Sequence, residues 1–246
     1  MTVQSPTPAR RPLRDLARPG LRAIRANWRP FLLLQAAALA FVIAYFNVDA
    51  LRGAMADLAA FRERVGVAFT MVAAAVAGAM LPEVAKALTQ RGWRIDRAKL
   101  IDTGFLVVFF ALNGLLVDRF YALLGVVFGE AETLGVIAKK ALVDQFLFTP
   151  LLATPYVAAG LSIRRHGYSI AGAWREFARS PARWYVARAV TLMLPGWCFW
   201  GPMVCLIYSL PGPLQVAMWA GAMGAWSLVM VFIGAEEPDA PVPPPE

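Results

Sequence analysis

The stretch Lys139-Lys140-Ala141-Leu142-Val143-Asp144-Gln145-Phe146-Leu147-Phe148-Thr149-Pro150 runs a basic pair into an apolar segment that carries an acid, an amide and a proline. From Ala141 to Ser162 the only residue charged at neutral pH is Asp144. That length is close to the ~20 residues a helix needs to cross ~30 Å of hydrocarbon. A carboxylate inside such a segment is costly and is normally turned toward other helices or a wet cavity, which makes Asp144, with Gln145 beside it, a candidate site residue.

The rest of the chain supports a membrane reading. It has 246 residues, 59% of them apolar and only 16% charged, with a mean hydropathy of +0.56; an ordinary soluble domain is far more polar. The formal charge of +8 does not point to nucleic acid, because the basic residues lie mainly in a tail and two loops between apolar runs and no base-reading motif accompanies them. Cys198 and Cys205 fall in one apolar segment, at a helical spacing that keeps them from pairing with each other, and read as inert core thiols. His166, the sole histidine, sits beside Arg164 and Arg165 without a second ligand at metal spacing, and reads as a solvated loop residue. No metal or cofactor is implied.

Taken in order, residues 1–30 form a basic tail with Arg10, Arg11, Arg14, Arg18, Arg22, Arg25 and Arg29, expected to stay mobile or to lie on anionic lipid. A first, short apolar run spans Phe31 to Phe46 and is weakened by Gln35. The second, Val65 to Pro82, carries Ala73, Ala74, Ala77 and Gly78 at spacings that allow close helix contact. The third, Thr103 to Phe128, contains Asn113, Asp118, Arg119 and Tyr121; neither half alone is long enough to cross, so one long or tilted helix must carry both charges. The fourth holds Asp144 and is loosened where Pro150 and Pro155 remove helix donors. The fifth, Trp184 to Leu210, contains Pro195-Gly196 and Gly201-Pro202, and a broken or kinked backbone is expected there, as a gate or as a packing kink. The last run, Leu214 to Ile233, precedes an acidic, proline-rich tail at 235–246.

These patterns predict an all-α polytopic membrane protein of about six transmembrane helices over 31–234, or five if the first run falls short. Basic residues concentrate in the N-terminal tail and in the loops after the second and fourth runs, which places both termini on the cytoplasmic or equivalent side of a bacterial or organellar inner membrane. Asp118, Arg119, Asp144 and Gln145 then lie toward the outer half of the bilayer. Arg119 and Asp144, on consecutive antiparallel runs, are expected to pair. Between Arg164 and Arg183, Ile170, Trp174, Phe177 and Ala178 alternate with Arg175 and Arg179 at the spacing of an amphipathic helix on the membrane surface.

Lys-Lys, three residues, Asp-Gln, four residues and Pro, as in Lys139 to Pro150, resembles a signature of the Mpv-seventeen and peroxisomal-membrane-protein-twenty-two family. A second signature of that family, near Gly-Pro-x-x-His-x-Trp-Tyr-x-x-Leu, is similar to Gly114 through Leu124, where Gly114, Tyr121 and Leu124 match, Phe120 replaces Trp, Leu115 stands at the Pro and Asp118 at the His. Pro211 followed by Trp226-Ser227 is like the family's Val-Pro and closing Trp. The family's Trp-Pro-x-x-Gln-x-x-Asn-Phe segment has no clean counterpart between Leu192 and Leu210, where Trp197, Trp200 and Pro202 stand at altered spacing. The similarity covers roughly 65–233, which makes the first run and the basic tail additions.

What the resemblance implies is a pore or transporter for small solutes or ions. In that reading Asn113, Asp118, Arg119, Tyr121, Asp144 and Gln145 line the path, and Pro150, Pro155, Pro195, Gly196, Gly201 and Pro202 give kinks or a gate. The alternative is a non-conducting scaffold or interaction protein whose intramembrane polar groups only fix helix packing. An enzyme is not expected: the chain has no Gly-rich phosphate loop, no His-Glu pair on a helix and no nucleophile elbow. The expected partners are the bilayer and anionic lipid at the basic tail, with a homo-oligomer left open and no nucleic acid.

Overall fold

The computed structural model describes the backbone of residues 13–90 and 92–236, and side chains from Trp28 onward except at 188–192, 194–195, 229–230 and 232–236. Every regular element among these residues is helical: α1 Leu13–Asn47, α2 Asp49–Val65, α3 Val67–Ala75, α4 Leu81–Thr89, α5 Arg97–Phe128, α6 Leu134–Val143, α7 Thr154–Arg165, α8 Ile170–Arg179, α9 Pro181–Trp184, α10 Thr191–Tyr208 and α11 Gly212–Glu236. Three π-helical segments, π1 Val76–Met80, π2 Asp144–Ala153 and π3 Tyr185–Val190, join some of these without a break. Trp28–Asn47, Val67–Thr89, Arg97–Phe128 and Leu134–Arg165 are long and apolar enough to cross a membrane, and Gly196–Tyr208 is a shorter apolar helix. The chain is thus an all-helical protein with the elements of a membrane-embedded one.

The chain divides into two units, residues 1–28 with 145–198, and 29–144 with 199–246. In the second unit α3 makes its most extensive contact with α5, and α11 packs along α2, α3, π1, α4 and α5. The sequence explains the α3–α5 contact. A Cβ built on Gly114 would stand 2.7 Å from the Thr70 carbonyl oxygen and 2.8 Å from the Ala74 Cβ, so only a glycine admits this approach of backbones. Phe31, Phe199 and Trp226 form an aromatic cluster with ring centroids 4.6 to 5.7 Å apart. Ser227 donates to the Ala77 carbonyl at 2.6 Å, and Gln35 Nε2 to the Phe199 carbonyl at 2.6 Å. In the first unit Trp184 is buried edge-on against Phe177, and Tyr185 donates to the Pro150 carbonyl at 2.8 Å.

Several expectations need correction. The span between the first two apolar runs is a helix, α2, whose Met55 and Ala59 pack on a core of Val42, Leu210 and Leu214. The basic tail is helical from Leu13, whereas residues 1–12 and the acidic end at 237–246 lie outside the described residues. Of the two forms expected at Pro195-Gly196 and Gly201-Pro202, a break does not occur, because α10 runs through both. Where water cannot compete for backbone groups, a helix keeps its remaining bonds across a missing donor. Cys198 and Cys205 are both free, as expected, but exposed and not core residues. Pro150 does fall in non-α backbone, inside π2, and Pro155 enters the first turn of α7. α8 forms at the predicted place, with Ile170 and Trp174 exposed and Gly172 and Ala173 buried.

Candidate functional site

The buried face of α5 is Asn113, Gly114, Val117, Asp118, Tyr121 and Leu124, a three-and-four spacing that marks one side of a helix. Asp118 is 8% exposed and its carboxylate is held from two sides. Thr70 Oγ1 donates to Asp118 Oδ1 at 2.8 Å, a contact that the close approach at Gly114 makes reachable. Arg62 Nη2 donates to the same oxygen at 3.1 Å. Arg62 reaches it because Gly66, at φ 67°, turns the chain sharply from α2 into α3, in a region of backbone space that favours glycine.

A second group lies one turn further along α5. Tyr208, the last residue of α10, donates its hydroxyl to Asp144 Oδ2 at 2.5 Å. The Tyr121 ring stands 5.1 Å from the Tyr208 ring, so α5 lines both groups. Asp144 is 5% exposed, and Lys140, one turn earlier on the same helical face, only 2%. The rise from Asp118 to the end of α5, and from the start of α6 to Asp144, is about 15 Å in each case at roughly 1.5 Å per residue. Asp118 and Asp144 are therefore both set well in from the ends of apolar helices, and Asp118, Lys140 and Asp144 are buried while Arg62 stays partly exposed; a charge so buried needs a specific reason to remain.

Of the residues picked out from sequence, Asn113, Asp118 and Tyr121 share the buried face of α5, and Asp144 joins them through Tyr208. The expected Arg119–Asp144 pair does not form. Arg119 is exposed, because one residue of helix turns a side chain by about 100° away from the face that carries Asp118. Gln145 belongs to the other unit, where it is buried and its carbonyl accepts from Trp197 Nε1 at 2.9 Å. Arg62, Thr70, Lys140 and Tyr208 were not anticipated. Lys140 was legible: its spacing from Asp144 puts both on one face of a helix. Arg62 and Tyr208 were not, since their partners are distant in sequence.

Among the described residues no group of His, Cys, Asp and Glu is arranged to hold a metal ion. Comparison with protein-family models, with curated proteins and with solved structures finds no match to this chain.

Proposed function

We propose that this chain is a polytopic protein of an inner membrane that passes a small solute or ion, with Asp118, Tyr121, Asp144 and Tyr208 lining the polar part of its path. The observation that supports this is the burial of Asp118, Lys140 and Asp144 to 8% exposure or less within helices apolar enough to cross a bilayer; ionisable groups so placed are the usual constituents of ion and solute pathways. The likeness of 139–150 and 114–124 to the Mpv-seventeen family's signatures points the same way and suggests a remote relative with an added N-terminal span. Six crossings with both termini cytoplasmic, an anionic lipid surface under the basic N-terminal segment and no enzymatic activity belong to this reading. The testing experiment is release of small trapped solutes and ions from liposomes holding the purified chain. Release above empty liposomes supports the proposal, and its absence from folded, inserted protein overturns it.

A second reading has its own observation. The Asp118 carboxylate is already held by Arg62 and Thr70, and Asp144 by Tyr208, as in a network that locks helices in register. In a membrane scaffold these bonds carry stability alone, and substituting them changes melting without changing any flux.

A further inference from the structure

We propose that α8 docks on the headgroups of anionic phospholipid, with Ile170, Trp174 and Ala178 set into the acyl boundary and Arg175 and Arg179 on the phosphates. This rests on the membrane part of the reading above and not on transport. The helix has three faces. Gly172 and Ala173 are buried, and Glu176 turns to the same side, where its carboxylate stands 3.8 Å from Arg165 and 3.9 Å from His166 Nδ1. Ile170 and Trp174 are 72% and 64% exposed. With Ala178, also exposed, they follow at four-residue spacing and form one apolar stripe. Arg175 and Arg179, exposed as well, make the edge beside it. An isoleucine and an indole held side by side in the open mark a surface that something apolar covers.

Place in the chain identifies the cover as lipid. Leu134–Arg165 is long and apolar enough to cross a membrane, and it ends on Arg164-Arg165, both exposed. Gly167 and Tyr168, at φ 61° and 65°, turn the chain sharply there, and α8 packs back on α7. The approach is close: a Cβ built on Gly172 would stand 3.0 Å from the His166 Cβ. α8 is thereby fixed beside the end of a span, where a bilayer places its headgroups. Charge then selects the lipid. From Arg164 to Arg183 the chain carries five arginines and one acid, Glu176, and that acid is turned away from the open face. What meets the open face is therefore apolar at the stripe and negative at the edge, as an anionic leaflet is. Tryptophan beside an arginine edge is the composition of a helix that lies in the interface. A zwitterionic surface would cover the stripe and leave the arginines without a counter-charge.

The test is a nitroxide label on Ala178→Cys in the full chain, with Cys198→Ala and Cys205→Ala leaving a single thiol. In lipid nanodiscs its accessibility is read with oxygen, which concentrates in lipid, and with a neutral nickel chelate, which stays in water. With phosphatidylglycerol mixed into phosphatidylcholine, the label is expected to be open to oxygen and shielded from the chelate. In phosphatidylcholine alone it should move toward the chelate. Each arginine near an anionic surface is worth about fivefold in the docked-to-undocked ratio. Arg175→Gln with Arg179→Gln should therefore shift that ratio roughly twentyfold and remove the difference between the two lipids, while Arg14→Gln with Arg18→Gln, in the N-terminal segment, should leave it. Equal accessibility in the two lipids, or an unchanged response without Arg175 and Arg179, overturns the proposal. So does a label shielded from both probes, as beneath a second copy of the chain or another protein. If Ala178→Cys does not fold, the same label at Ala171, exposed on the same helix, decides it by the same criteria. A nanodisc presents the same lipid on both faces, so the result depends neither on the side where α8 lies nor on solute release. A chain that docks in this way but passes nothing keeps this inference and sinks the transport proposal, whereas release without a lipid-dependent label does the reverse.

Discussion

Arg62 donates to Asp118 across 3.1 Å, and through this bond the end of α2 is fastened to the middle of α5. The side chains are 21% and 10% exposed, so the pair is only partly shielded from solvent. Removing one partner strands the other charge, whereas removing both does not. Arg62→Gln and Asp118→Asn should each lower stability by about 2 kcal/mol, and the double variant should lose clearly less than their sum. Chemical denaturation in detergent micelles measures the cycle, and strict additivity means that the two groups are not coupled.

Gly114 offers a sharper test of the helix packing. Its missing Cβ admits the Thr70 carbonyl and Ala74, so Gly114→Val must push α3 from α5 and should cost about 3 kcal/mol or abolish folding. Gly104, on the same helix, has nothing within 4 Å of a built Cβ. Gly104→Ala is expected to be neutral or slightly stabilising, since alanine favours the helix. Equal melting points for the two variants would show that the crossing is not as close as described.

Tyr208→Phe removes one hydroxyl and leaves the Asp144 carboxylate without that donor. The expected loss is about 1–3 kcal/mol, the cost of withdrawing a partner from a buried charged group. Tyr121→Phe, which keeps the ring contact with Tyr208, should be milder. Thermal unfolding of the two variants side by side would reveal a reversed order, which would move the main support of Asp144 from Tyr208 to Tyr121.

Reporter fusions check the proposed arrangement in the membrane. Basic residues favour the cytoplasmic side, so fusions at Arg94 and His166 should read cytoplasmic and one at Glu132 the opposite side. A cytoplasmic signal at Glu132 would contradict six crossings with both termini inside.

The long apolar helices and the burial of Asp118 and Asp144 were legible because length, hydropathy and the isolation of a charge are local properties of the sequence. Partner choice was not legible. Arg119 matched Asp144 in expected bilayer depth and in lying on a consecutive antiparallel run, but the rotation between Asp118 and Arg119 on α5 sends Arg119 outward, and α2 brings Arg62 to Asp118. Tyr208 is placed on Asp144 by the packing of helices distant in sequence, which no local pattern encodes. The prolines of α10 leave the helix continuous, since away from water a helix keeps its remaining bonds across a missing donor.

The central claim is that the buried polar cluster lines a path and does more than lock the helices together. Its most direct test is the rate of ion and small-solute release from liposomes carrying Asp144→Asn, expressed per folded molecule and set beside Gly104→Ala. Release is expected from the wild type and from Gly104→Ala, with a change in rate or anion-to-cation preference on the order of tenfold in Asp144→Asn, equivalent to about 1.4 kcal/mol in a barrier. Wild-type liposomes no leakier than empty ones, or an Asp144→Asn rate and selectivity equal to wild type per folded molecule, would contradict it.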